Sequence, residues 1–274
     1  MLNMTAPGLT LPQPSLVLPF RKHDAMSTGG TDNVSEGWYY GAERGITGLD
    51  VHRSIDFDLP YGTPVFAMAD GWAAFTYQSW LTATEYLGKR IGFGLGLWLL
   101  TLHKLPGSDV YWWGKYAHLS KVRSGIKYLR PYVDSDGDWH EPDSGPDNLY
   151  VPDPQLQQIF TPITKGQPLG YVGDSGVEWG YRDMFDVDTG TVAPRDRQAQ
   201  PPWDAPHLHL EIYRRVNGSP APGETLDADR LSVDPFGQYG MVRRWEDYSS
   251  YKGYSLGPGH LWLTDRHGKP VYTP

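Results

Sequence analysis

The chain is 274 residues long, with 24 Lys and Arg against 32 Asp and Glu, a formal net charge of −8 and no cysteine. The acidic balance and the lack of any basic run exclude a nucleic-acid partner held by phosphate neutralisation. The missing cysteines exclude disulfides, and no segment approaches the ~20 consecutive apolar residues of a membrane-spanning helix.

The length supports a substantial core and favours one domain with extensions over two large domains. The 32 glycines, 24 prolines and short Val, Ile, Tyr and Trp runs predict an all-β protein rich in turns. In chain order, residues 1–35 read as an extended N-terminal arm. Leu9 to Phe20 is broken by prolines and the first basic residue is Arg21, which is not the pattern of a secretory signal peptide.

Residues 36–240 read as the main domain. Val51 to Asp58 carries His52, Asp56 and Asp58, and runs into Gly62-Thr63-Pro64-Val65-Phe66-Ala67-Met68-Ala69-Asp70-Gly71, a turn, a strand and another turn. A segment near 78–88 admits a short helix, as does 224–231. Gly96 to Leu102 is an apolar strand, and the aromatic run Val110 to Trp113 leads into Lys115-Tyr116-Ala117-His118-Leu119-Ser120. Lys165 to Gly173 reads as a strand and turn. Pro206-His207-Leu208-His209-Leu210-Glu211-Ile212 reads as a strand, and 241–274 as a C-terminal extension on the same domain, with a hairpin turning near His267-Gly268.

Alternation in a strand places His207 and His209 on one face with Cα atoms roughly 6–7 Å apart, so one ring can bind an ion while the other reaches a water or substrate atom beside it. Taken alone, such a pair is more often a surface or packing feature. His52 and Asp56 would lie roughly 13 Å apart in a straight strand, so their meeting on one ion requires a bend near Ser54. Asp58 shares a face with Asp56 and is an alternative ligand, or an acceptor fixing an imidazole tautomer. His118 alone reads as a histidine closing a strand. His23, His103, His140, His260 and His267 have no partner motif and read as structural or exposed.

In order, these blocks resemble the lysostaphin-type zinc endopeptidases, which include the beta-lytic peptidases and cleave peptide bonds in peptidoglycan. The family's His-x-Gly-x-Asp is similar to His52-Arg53-Ser54-Ile55-Asp56, its Gly-Thr-Pro-Val-x-Ala-x-x-x-Gly to Gly62 through Gly71, and its Tyr-x-His-Leu-Ser to Tyr116 through Ser120. Its Gly-Gln-x-Ile-Gly-x-Val-Gly is similar to Gly166 through Gly173, and its His-Leu-His-Phe-Glu-Ile to His207 through Ile212. The blocks span about residues 48–212, and Val233-Asp234-Pro235 resembles the family's usual strand exit.

The resemblance implies a coiled antiparallel β-sheet, a sandwich-like duplicated hybrid motif, here with long loop insertions. It implies one catalytic Zn2+ held by His52, Asp56 and His209, with His118 and His207 beside it as catalytic imidazoles. Three such ligands leave a fourth tetrahedral position for water. The implied reaction is hydrolysis of peptidoglycan cross-links or stem peptides by a zinc-activated water, with one of the spare histidines handling the proton. Tyr39, Tyr40 and Tyr116 are further candidate donors to the oxyanion. The substrate implies an extracellular, periplasmic or wall-associated monomer.

Departures from the family stand beside the matches. Ser54 replaces the usual glycine, and would cost on the order of 1–2 kcal/mol if the position needed positive φ. An insertion over 177–205 includes Trp179, Tyr181, Arg182 and Trp203. Another, over 130–164, carries Asp134, Asp136, Asp138, Glu141, Asp143, Asp147 and Asp153. That acidic loop reads as a solvated surface, as a Ca2+ site, or as a recognition element for a free amine of a stem peptide. For calcium, Trp139 occupies the place where an EF-hand needs glycine. The 11 tryptophans and 18 tyrosines could stack on sugars, although β cores use the same residues. The rival class of function is a non-catalytic wall-binding or regulatory module of the same fold, which the intact candidate ligands oppose.

Overall fold

Period-two alternation of side chains organises the molecule, which a computed structural model describes over residues 15–23, 54–78, 82–86, 89–93, 95–104, 110–129, 132–133, 139–140, 159–176, 185–193, 206–216, 256 and 260–274. The strands are β1 (Leu18–Arg21), β2 (Ser54–Asp58), β3 (Pro64–Phe66), β4 (Gly71–Gln78), β5 (Thr82–Tyr86), β6 (Lys89–Phe93), β7 (Gly96–Lys104) and β8 (Val110–Val122). There follow β9 (Lys127–Tyr128), β10 (Tyr132–Val133), β11 (Trp139–His140), β12 (Thr161–Ile163), β13 (Pro168–Val172), β14 (Phe185–Asp186), β15 (Thr191–Val192), β16 (His207–Val216) and β17 (Tyr272–Thr273). The protein is all-β, as its composition predicts. No helix among the described residues is long and apolar enough to cross a membrane.

An eleven-stranded sheet carries the architecture, with β12, β4, β7, β8, β13 and β3 side by side in that order. β8 is its axis. One edge pairs with β7; the other pairs with β16 from Val110 to Ala117 and with β13 from Leu119 to Val122. β2 lies antiparallel on the far side of β16, with Asp56 opposite His209 and Ser54 opposite Glu211.

Both faces of the central strands are covered. Leu97 and Leu99 of β7, Tyr116 and Leu119 of β8, and Leu208, Leu210 and Ile212 of β16 belong to the larger core. Trp98, Leu100 and Leu102 alternate with them into a second cluster containing Trp113, Ala117 and Phe160. Fully burying a side chain of this size contributes roughly 1.5–3 kcal/mol. Because Ile55 and Phe57 face the same larger core, alternation turns Ser54 and Asp56 to the opposite face, together with His207, His209 and Glu211.

One segment departs from its sequence pattern, and two others take pairings that the pattern leaves open. Residues 82–86 form a strand, antiparallel to β6, where a short helix is expected; Thr82, Thr84 and Tyr86 are strand-favouring residue types at alternate positions, and a partner strand begins three residues later, so pairing outweighs local helix propensity. The 177–205 insertion contains the β14–β15 hairpin, which joins β8 through Thr191 and stacks Phe185 on Tyr77 at 4.6 Å. At the start of the chain, β1 runs parallel to β17, and Leu16, Leu18 and Phe20 share the larger core with Leu261 and Trp262. The expected C-terminal hairpin is present, with Thr264 opposite Pro270 and Gly268 N–H donating to the Asp265 carbonyl at 3.0 Å.

Candidate metal centre

β8 changes partner from β16 to β13 between Ala117 and Leu119, and the residue at the change is His118. Its φ of 61° makes it the non-glycine residue with positive φ among the described residues. That conformation costs roughly 1–2 kcal/mol, and the surroundings hold it in place. The His118 N–H donates to the Leu95 carbonyl at 3.0 Å, and ring Nδ1 pairs with the Ser175 carbonyl at 2.8 Å. A carbonyl can only accept, so Nδ1 carries the proton and Nε2 keeps its lone pair.

Ser175 is itself clamped. Its hydroxyl accepts from Leu97 N–H at 2.9 Å and donates to the Leu119 carbonyl at 2.7 Å. The clamp needs Gly96, whose φ is +61° and whose missing Cβ would collide with the Ser175 backbone. Gly173 closes the same corner, bridging to His207 where β13 hands over to β16.

Strand alternation and register then bring three imidazoles together. His118, His207 and His209 each present a ligand atom within 4.8 Å of the other two. The His118 ring centroid is 4.7 Å from that of His207 and 5.3 Å from that of His209. Asp56 joins from β2, with Oδ1 2.9 Å from His209 Nδ1 and Oδ2 3.7 Å from His207 Nε2. These four side chains are between 3% and 7% exposed. The donor set suits zinc, since two donors sharing one ion through ~2 Å bonds at a tetrahedral angle stand roughly 3.3 Å apart. His209 Nδ1 and Asp56 Oδ1 are close to that separation.

Electrostatics divides the imidazoles. His118 is held well below 6.5, first by burial and then by the charges of His207 and His209, with the Ser175 carbonyl and Asp56 opposing; it is a neutral base. Burial acts on His209 in the same direction, but the charge and hydrogen bond of Asp56, followed by the hydrogen bond and charge of Glu211, outweigh it and push the group up to about 9. Glu211 Oε1 lies 3.0 Å from His209 Nε2.

Ser54 causes no strain. It lies in regular β2, without positive φ, and its hydroxyl is 3.1 Å from His209 Nδ1. Glycine could not provide that contact. Tyr116 is not at the cluster: its hydroxyl donates to the Phe66 carbonyl at 3.2 Å within the larger core, and burial raises its pKa. His52, Tyr39 and Tyr40, the acidic residues of 130–164, and Trp179, Tyr181, Arg182 and Trp203 of the 177–205 insertion lie outside the described residues.

Sequence reading does not single out Glu211, Ser175 or Gly96. For Glu211 a signal exists, because two residues beyond His209 in a strand means the same face. Ser175 and Gly96 have none, since their roles depend on a contact between segments far apart in the chain.

No protein-family model matches the chain, and no curated protein does. Among solved structures, a zinc-containing peptidase from Vibrio cholerae is similar at 17% identity with a TM-score of 0.36, covering 73% of this chain; this chain covers 36% of that one. The catalytic domain of lysostaphin from Staphylococcus simulans is similar at 19% identity and TM-score 0.33, over 74% of this chain and 90% of that one. A point mutant of the catalytic domain of the prophage-encoded M23 protein EnpA from Enterococcus faecalis is similar at 21% identity and TM-score 0.32, over 74% and 88%.

Proposed function

We propose that the chain is a zinc-dependent endopeptidase that hydrolyses peptide bonds in peptidoglycan cross-links or stem peptides, at the cell wall or in the periplasm. The observation that carries this reading is the meeting of Asp56, His118, His207 and His209, contributed by three strands distant in sequence, in one buried cluster of nitrogen and oxygen donors.

His209 and Asp56, with His52 just upstream of β2, are the assigned metal ligands. Supporting this is the bracketing of His209 by two carboxylates, which favours a positive charge at Nδ1 whether proton or metal. β2 is regular from Ser54 to Asp58, and His52 lies outside the described residues, so its place on the ion rests on the family resemblance alone. When bound, zinc supplies a Lewis acid that polarises a carbonyl and acidifies a coordinated water to a pKa near 7.

The chain's own residues supply the proton handling. His118 is uncharged and fixed as the Nδ1–H tautomer, so Nε2 accepts a proton from a water placed beside it. Once protonated it can return that proton to the leaving amine. His207, 4.7 Å away by ring centroid, is the second imidazole available for that proton. Burial of all three rings excludes bulk water from the exchange.

The test compares the wild type with His209→Ala and His118→Ala, reading zinc content and fragment release from peptidoglycan. His209→Ala is expected to lose both. His118→Ala should retain zinc and lose roughly 10²–10⁴-fold in rate. Full activity in either variant removes that residue's role, and a wild type that binds walls with zinc but releases nothing establishes the non-catalytic module instead.

A further inference from the structure

The sheet face that carries the histidines continues past them into a charged row. Glu211 stands directly opposite Ser54 on one side and Lys115 on the other. Its Oε1 meets His209 Nε2 at 3.0 Å, while Oε2 faces Lys115 Nζ at 3.7 Å. Lys115 is 7% exposed and lies over the Trp98 ring, 5.2 Å from its centroid. A buried lysine facing a partly buried glutamate is costly to desolvate, so its net stabilising effect is small.

We propose that Glu211 is a positioning residue for the metal centre: it takes the Nε2 proton of His209, fixing the tautomer whose Nδ1 lone pair points to the Asp56 side, and Lys115 holds Glu211 in place. The inference rests on the reading that His209 binds the metal. A carboxylate on the far nitrogen of a ligand imidazole locks ring rotation and raises its basicity. Register makes this economical. His209 and Glu211 are successive residues on one face of β16, so their spacing is set by the strand, and the Lys115 cross-strand pair stops the carboxylate from rotating away. The Trp98 ring, itself buried, lies beneath the Lys115 ammonium at the end of the row.

Zinc affinity of the full chain, measured with zinc chloride against a chromogenic chelator, tests the idea without recourse to activity. Glu211→Ala is expected to weaken binding about 10–100-fold. Glu211→Gln, which keeps an acceptor oxygen without the charge, should recover part of that loss. Lys115→Met should weaken binding about fivefold, the size of a ~1 kcal/mol ion-pair effect.

The ¹⁵N spectrum of labelled histidines in the zinc-loaded wild type gives a readout that no folding defect can imitate. The proton should sit on His209 Nε2 and the metal on Nδ1; the reverse arrangement overturns the proposal even if Glu211→Ala fails to fold. Wild-type affinity in both Glu211 variants also overturns it, and wild-type affinity in Lys115→Met removes the lysine from it. His209→Ala separates the two layers. If it binds zinc normally, the ligand reading fails; if it loses zinc while Glu211→Ala does not, only the positioning role fails.

Discussion

His103 on β7 and His209 on β16 are both buried, on strands related through β8, yet the first is pulled down to about 4 and the second pushed up to about 9. Around His103, burial dominates; the carbonyls of Asp70 and Ala69 and the Asp70 charge oppose it and lose. Its Nδ1–H meets the Asp70 carbonyl at 3.2 Å, and Nε2 lies 3.0 Å from the Thr101 hydroxyl. Around His209, burial is opposed by Asp56 at 2.9 Å and Glu211 at 3.0 Å, and loses. Burial alone therefore does not separate the two histidines. Carboxylates brought to both ring nitrogens of His209 by strand register do.

The two sites also push stability in opposite directions with pH. His103 has a folded pKa below its unfolded value, so its contribution is complete above pH 6.5 and is lost as pH falls toward 4. His118 acts in the same direction. His209 has a raised folded pKa, so in zinc-free protein its contribution is complete below pH 6.5 and fades as pH rises through 9.

The contrast can be broken most strongly at Asp56. In zinc-free Asp56→Asn, the His209 pKa read by NMR titration should fall from about 9 to below 6.5, a change of about 3 kcal/mol or more. A value still near 9 would show that Asp56 does not distinguish the two sites. Next comes His103. Its titration should remove about 3 kcal/mol of wild-type stability between pH 6.5 and 4, measured by urea unfolding of zinc-free protein. His103→Gln should lack that share while keeping the share due to His118, and an unchanged pH dependence would sink the assignment. The smallest expected effect is at Ser54. Ser54→Ala removes a hydroxyl that shares His209 Nδ1 with the metal, so zinc affinity should change by no more than about 1 kcal/mol, roughly fivefold; a loss as large as that in His209→Ala would make Ser54 a ligand.

Much of the fold and site is legible along the chain. β7 follows from its continuous apolar run, β16 from apolar alternation, the 264–270 hairpin from its turn residues, and the common face of His207 and His209 from the period of a strand. The helix expected near 78–88 fails because a short polar and aromatic segment takes its conformation from its pairing partner. The docking of Thr191 on Lys121 leaves no local trace, and neither does the parallel pairing of Leu18 with Tyr272, across almost the whole chain.

By itself the sequence determined which residues share a face and which side chains have the chemistry of a metal site, because alternation and donor type are local properties. Only the tertiary structure decided which of those side chains meet. Register sets Asp56 and Glu211 against His209 and leaves the His103 ring nitrogens to a backbone carbonyl and a hydroxyl, and the partner change in β8 turns His118 toward the cluster on a backbone it would not adopt unaided. Those outcomes depend on hydrogen-bonded contacts between segments far apart in the chain, and their energies appear only when the strands come together.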